Sequence, residues 1–283
     1  MARLPTPGRD LEEKLAYTLA LSSWSLHRHL PVRGKAPAET PISLLDFIRI
    51  ARERYSIGQV ELCQVHLDSF KYRHLDAIKG ALSRYNVRAI TMPIDVGNIS
   101  QLDPAKREAD MQVIMRWIDA AAYIGIPAVR VNSGGQANGQ FDLQTTINSY
   151  RTLVSYGKMI NCKILMENHG GISADPGNIA KIVQGVNSNW FRLLPDFGNF
   201  DPTTRYEGLQ MMLPMAAVVH AKTLDFDGAG RQTVYDYDLC MRLVAQSGYQ
   251  GPLSIEFEGN GDEYEGIAKS RDLILRHIGA LAA

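Results

Sequence analysis

Three short stretches run from apolar residues straight into residues that can do chemistry. They are "KILMENHGG" (163–171), "LLPDFGNF" (193–200) and "LSIEFEG" (253–259), which deliver Glu167 and His169, then Asp196, then Glu256 and Glu258. A fourth, "VVHAKTLDF" (218–226), carries His220 and Lys222. Short apolar runs read as strands buried on both faces. A carboxylate at the end of such a strand is costly to desolvate unless something pairs with it. Side chains two apart on a strand share a face. Glu167 with His169, His220 with Lys222, and Glu256 with Glu258 are therefore candidate inward pairs. Two glutamates, an aspartate and a histidine brought to one rim would repel one another and raise each other's pKa values. One divalent cation resolves that conflict. Oxygen-rich ligation with a single imidazole suits Mn2+ first, with Mg2+, Co2+ or Zn2+ as alternatives.

Positioning these groups requires strand ends on one side of a sheet. Strand segments are expected at 17–25, 59–67, 87–95, 127–133, 163–168, 191–196, 216–222 and 252–258. Helical patterns lie between them. "SLLDFIRIARERY" puts Leu44, Phe47, Ile48, Ala51 and Tyr55 on one side. "PAKREADMQVIMRWIDAAAYIG" has Pro104 for a first turn and Gly125 for a stop, and Asp175-Pro176 opens another helix. Two more are expected in "YDYDLCMRLVAQSGY" and "DEYEGIAKSRDLILRHIGALAA". Strict alternation implies a parallel sheet with helices outside. Eight units without a glycine-rich nucleotide fingerprint after the first strand predict a single (β/α)8 TIM barrel, an α/β fold. The expected organisation is a polar lead-in over 1–16 and one barrel over 17–283. In such barrels the working residues sit at the C-terminal ends of the strands, where all four stretches place theirs.

The bulk numbers are those of an ordinary soluble globular protein. The 283 residues are 45% hydrophobic and 21% charged, with a formal net charge of zero. Neutrality removes the electrostatic footprint of a nucleic-acid binder. No apolar run reaches the roughly 20 residues that span a bilayer, so no membrane association is expected. The N-terminus has no apolar signal region, and Cys63, Cys162 and Cys240 form no CxxC pair and read as core residues. The expected location is the cytoplasm.

The motifs "AAYIGIPAVRVNSGG", "ILMENHGG", "LLPDFGNF", "VVHAKTLDF" and "GYQGPLSIEFEG" resemble the xylose-isomerase-like, or AP-endonuclease-2-like, TIM-barrel superfamily, in its sugar isomerase and epimerase branch. The resemblance covers nearly the whole chain. It implies a metal set of Glu, Asp, His and Glu on strands five to eight, which falls on Glu167, Asp196, His220 and Glu256. It also implies that the two glutamates flank the substrate as an acid/base pair, and that the protein associates as a dimer or tetramer. The chain departs from the ketose 3-epimerases in having no second glutamate in "ENHGGIS", Phe226 where they carry an arginine, and Asn199 where many relatives carry a histidine. The reaction site carries over, but the substrate of those epimerases does not. AP endonucleases need further histidines, and "TLDFDGAGRQTVYDYD" lacks their Asp-x-His.

The expected activity is a metal-dependent sugar, keto-sugar or cyclitol isomerase or epimerase, with proton transfer by carboxylates through a metal-stabilised enediolate. The alternative is a lyase using the same site, a keto-inositol dehydratase or a 3-keto-glycoside-cleaving enzyme. Lys222 is a further acid/base candidate, its pKa expected to fall beside a cation. Substrate-binding candidates are His169, Asn199 and Glu258, with Trp24 and His27 after strand one, His66 after strand two, and Arg130 with Asn132 after strand four. The acidic loop "EGNGDEYEG" disfavours a phosphate, so the expected partner is a non-phosphorylated carbohydrate.

Overall fold

Eight short parallel strands form the centre of the computed structural model, which describes residues 18–32, 40–136 and 139–282. They are β1 (Leu19–Ser22), β2 (Gln59–Glu61), β3 (Arg88–Ile94), β4 (Ala128–Val131), β5 (Lys163–Glu167), β6 (Phe191–Leu194), β7 (Val219–Thr223) and β8 (Leu253–Phe257). Their order is β6-β5-β4-β3-β2-β1-β8-β7. Backbone bonds close the ring between β6 and β7. Ala217 N–H donates to the Leu193 carbonyl at 2.8 Å, His220 N–H to Pro195 at 3.0 Å, and Phe197 N–H to His220 at 3.2 Å. The same closure pairs Asp196 with His220 across the seam. The fold is the expected α/β (β/α)8 barrel. The expected lead-in over 1–16, and residue 17, lie outside the described residues.

Helices follow the strands on the outside: α1 (Leu44–Tyr55), α2 (Tyr72–Tyr85), α3 (Pro104–Ile124), α4 (Leu143–Met159), α5 (Pro176–Val186), α6 (Arg205–Met212), α7 (Tyr237–Gln246) and α8 (Glu263–Ala282). The five expected helices are present. In α1 the buried face is Leu44, Phe47, Ile48, Ala51 and Tyr55, and Ser43 with Asp46 closes a capping box. Asp103 and Asp175 cap α3 and α5 ahead of their prolines, and Gly125 stops α3 at a φ of 96°. The helices α2, α4 and α6 add to those five. In α2 and α6 neither Lys71 nor Thr204 makes a side-chain cap, so their starts carry no local signal.

Several strands are shorter than their apolar runs suggest. The segment expected as strand over 17–25 leaves the sheet after Ser22 and winds into a 3-10 turn over Ser23–Leu26. Serine hydroxyls drive this. Ser22 Oγ accepts from the Trp24 N–H, and Ser25 Oγ bridges β8 by donating to the Ile255 carbonyl and accepting from Phe257 N–H. The 59–67 segment likewise ends at Glu61 and turns over Gln64–His66. Trp24, His27 and His66 therefore sit on turns above the barrel. All three cysteines are buried and free, as expected of core residues. Among the described residues no helix is long and apolar enough to cross a membrane.

Candidate metal centre

The strand alternation that hides apolar residues also raises the polar ones. Ala128, Leu165, Leu194 and Val218 form a small apolar cluster separate from the main core. Each lies two residues before a polar group: Arg130, Glu167, Asp196 and His220. Side chains at i and i+2 share a face, about 6.6 Å apart along the strand. The polar set thus rests one layer above an apolar floor. The chain leaves β5 through Gly170 and Gly171, at φ values of 66° and 53°. A Cβ at Gly171 would run into the Gly134 carbonyl, so the second glycine is required there.

Glu167, Asp196, His220 and Glu256 are all buried, and one donor atom from each lies within 4.8 Å of all the others. His220 Nδ1 stands 3.1 Å from Glu167 Oε1, 3.6 Å from Asp196 Oδ2 and 3.5 Å from Glu256 Oε2. Nδ1 carries at most one hydrogen and cannot donate to three carboxylates. Ligands held about 2.1 Å from a metal are about 3.0 Å apart at right angles and about 3.4 Å apart in a tetrahedron. The spacings to His220 Nδ1 are close to these values, and the whole set, within 4.8 Å, is compact enough to converge on one ion. Asp196 shows the division of labour. Its Oδ1 accepts from the Gly198 and Asn199 N–H groups at 2.7 and 3.0 Å, while the buried Oδ2 faces the donor set, with Lys222 Nζ at 3.2 Å and His220 Nδ1 at 3.6 Å. These residues fit a divalent cation.

The charges point the same way. The ion-pair network joins six carboxylates (Glu61, Asp95, Glu167, Asp196, Glu256 and Glu258) to two permanent cations, Arg130 and Lys222, and one imidazole. Burial works against protonation of His220, yet the carboxylates of Glu256, Glu61 and Glu167 outweigh it and hold the pKa well above the ordinary value. The cluster demands positive charge at its centre, which a proton or a metal ion can supply. The two glutamates differ. Burial pushes both up, but Arg130 and His220 hold Glu167 well below the usual carboxylate range, whereas Glu256 ends above it despite His220 and Lys222.

Arg130 and Lys222 flank the set. Arg130 Nε lies 2.9 Å from Glu167 Oε2, and its Nη1 reaches Asp95 Oδ1 at 2.5 Å and Asn132 Oδ1 at 2.7 Å. Arg130, expected to bind substrate, is 5% exposed and grips a metal-set carboxylate. Lys222 Nζ lies 3.2 Å from Asp196, 3.0 Å from Glu256 and 2.9 Å from Glu258, and donates to Asn199 Oδ1 at 2.8 Å. The downward pKa shift expected beside a bound cation has to work against the protein's own groups, which pull the other way. Burial lowers the pKa, but Asp196, Glu256, Glu258 and Glu167 together raise it well above the ordinary lysine value. Asn199 links the two sides, its Nδ2 donating to Glu167 Oε1 at 3.2 Å. Asn168 points away to β6 and clamps the Asp196 backbone through both its N–H and its carbonyl.

The remaining expected residues ring the mouth. His169 is exposed, within electrostatic reach of Glu167 and Asp95. Asn132 is half-buried and donates to Asp95. Trp24 Nε1 donates to Glu258, and its ring stacks on His27 at 4.9 Å and on His66 at 6.0 Å. His27 Nδ1 is tied to the Trp24 carbonyl and to Glu263. His66 is buried, its Nδ1 2.9 Å from Ser23 Oγ. Two groups escaped sequence reasoning. Asp95 ends the 87–95 run and could have been found as a strand-end carboxylate. Glu61 lies on β2 with its Oε1 2.9 Å from His220 Nε2, a contact across 159 residues that no spacing rule reveals.

Comparison with known proteins agrees with this architecture. Nothing among curated protein sequences matches the chain. A xylose isomerase-like TIM barrel protein from Mycobacterium smegmatis, solved in complex with magnesium, superposes with a TM-score of 0.69 at 16% identity, covering 94% of this chain and 98% of that one. An L-ribulose 3-epimerase gives 0.74 at 12% identity, covering 93% and 94%. The probable 3-DHS dehydratase AsbF from Bacillus anthracis gives 0.68 at 16% identity, covering 91% and 98%. Identities this low show a shared fold. The model of the xylose isomerase-like TIM barrel matches residues 55–277, from the last residue of α1 into α8, and the chain belongs to that family.

Proposed function

We propose that the protein is a divalent-metal-dependent sugar, keto-sugar or cyclitol isomerase or epimerase that moves a proton on the carbon next to a carbonyl. The observation that carries this reading is the convergence of His220 Nδ1 and three carboxylate oxygens at coordination spacing, with a lysine beside two of those oxygens. Glu167, Asp196, His220 and Glu256 would hold the ion, Mn2+ being our first choice for this donor set. When bound, it supplies Lewis acidity for the negative charge that develops on the substrate oxygen.

The chain's own residues do the rest. Glu167 and Glu256 stand on opposite sides of His220 in the ring, on β5 and β8, and serve as the acid/base pair: one takes the proton, the other returns it. Arg130 fixes Glu167, so its carboxylate meets the substrate in one orientation. Lys222, charged and within 3.0 Å of Glu256, places an ammonium where the departing proton and the oxyanion gather. His169, Asn132 and Glu258 at the mouth hydrogen-bond substrate hydroxyls. The acidic rim of Asp95 and Glu258 favours an uncharged polyhydroxylated substrate over a phosphate. The test is proton exchange from D2O at the substrate's alpha carbon, read by NMR over a panel of ketoses, inososes and keto-sugars with added Mn2+. Wild type should exchange, and Glu167→Gln and Glu256→Gln should each abolish it. Undiminished exchange in either variant removes that residue from the pair.

A further inference from the structure

We infer that Glu61 is the positioning residue that turns His220 into a metal ligand, a role that rests on the metal reading above. Glu61 is fully buried at the end of β2. It reaches past β1 and β8 to β7, where its Oε1 lies 2.9 Å from His220 Nε2. Among the described residues this is its sole ion pair, and its second oxygen makes no hydrogen bond. A buried carboxylate with no arginine or lysine beside it is an expensive way to stabilise a barrel, so the fold gains little from it.

Its use lies in the two nitrogens of the imidazole. A neutral ring carries one proton, and the partner of one nitrogen decides what the other offers. With the proton on Nε2, the ring donates to Glu61, and the Nδ1 lone pair faces the oxygens of Glu167, Glu256 and Asp196 at 3.1, 3.5 and 3.6 Å. The other tautomer would set the Nε2 lone pair against a carboxylate oxygen and aim an N–H into the donor set. Glu61 thus selects the tautomer that can ligate, fixes the ring plane and makes Nδ1 a stronger donor.

The experiment compares wild type with Glu61→Gln, whose amide oxygen still accepts from Nε2, and Glu61→Leu, which cannot. Calorimetric titration of metal-depleted protein with Mn2+ should rank wild type above Glu61→Gln, about 10-fold weaker, and Glu61→Leu, about 100-fold weaker. Melting of the metal-free proteins should not follow that order, as it would if Glu61 only held the barrel together. In Zn2+-loaded, 15N-histidine-labelled protein the His220 Nε2 proton should give a protected downfield signal in wild type and Glu61→Gln that is lost in Glu61→Leu. Equal Mn2+ affinities, or a wild-type His220 without a proton on Nε2, would overturn the role of Glu61 alone. Wild type that binds no divalent ion would overturn the metal reading and this role together. If Glu61→Leu does not fold, the step from wild type to Glu61→Gln and the wild-type Nε2 signal still decide the matter.

Discussion

The two halves of the barrel rim treat polar residues in opposite ways. From β5 to β8 each strand sends a donor to one point, and the charges there do not cancel: three carboxylates face one imidazole, with a single ammonium beside them. From β1 to β4 the polar groups mostly pair off. Arg130 bridges Asp95 and Glu167, His66 meets Ser23, His27 meets Glu263, and Trp24 meets Glu258. Polar strand ends are common in barrels, and what marks a site is charge left unbalanced at a shared centre. The first half asks for a ligand, while the second is ordinary polar packing that shapes the mouth. Glu61 and Arg130 are members of the second half that serve the first.

The sharpest way to break this contrast is to make the centre neutral without changing its shape. Asp196→Asn keeps the oxygen that accepts from Gly198 and Asn199 but places an NH2 where Oδ2 stood. The barrel should fold normally, bound metal should fall from about one equivalent to near zero, and alpha-carbon exchange should drop at least about 10³-fold, since the lost charge stabilisation is worth several kcal/mol. Elemental analysis and exchange rates check this together. A variant that keeps its metal would show that the donor set is not the one described.

Arg130→Met tests the boundary between the halves. It takes the guanidinium from Glu167 and Asp95, leaving Glu167 with His220 as its one ion-pair partner among the described residues. Removing one partner of a buried pair costs about 3–5 kcal/mol, and denaturant unfolding of the metal-free protein should show a loss of that size. Added Mn2+ should recover part of it, because ligand binding to the native state raises stability and the ion supplies the charge that Glu167 lost. A loss that Mn2+ does not reduce would place Arg130 wholly in the packing half.

Much of this was legible in the chain because period-two alternation is a local property. The eight strands, the apolar face of α1, the caps of α3 and α5, and the polar pairs at the strand ends follow from spacing within about ten residues, while the choice of Glu167, Asp196, His220 and Glu256 from among them rests on the resemblance to the family. What spacing could not supply were contacts closed by the barrel itself. Glu61 looked like one charge in "QVELC", because its partner lies 159 residues away. Arg130 is a substrate-binding candidate from its place at a strand end, and only the register of β4 against β5 shows that it stands beside Glu167. The carboxylates of Asp196, Glu256 and Glu258 reach Lys222 from β6 and β8, a neighbourhood that the motif around it does not reveal. The early ends of β1 and β2 come from serine hydroxyls and turn geometry that an apolar run conceals.

The smallest expected effect belongs to His66, and it tests whether the β1–β4 half is packing. Burial is the main cause that lowers its pKa to about 4 from 6.5, helped by the nearby His27. A histidine held neutral in the native state but free to protonate when unfolded makes the unfolded chain bind more protons between those two values. Stability must then rise with pH through that window and be flat, as far as this group is concerned, above about 6.5. The shift corresponds to about 3 kcal/mol between pH 4 and 6.5. His66→Gln keeps a polar group near Ser23 and removes the titration. The difference in unfolding free energy between wild type and variant should therefore narrow or change sign as pH falls from 7 to 4, while metal affinity at pH 7 stays within a few-fold. Parallel stability curves would show that His66 protonates freely in the native state. A large loss of metal affinity would move it into the half of the rim that binds the ion.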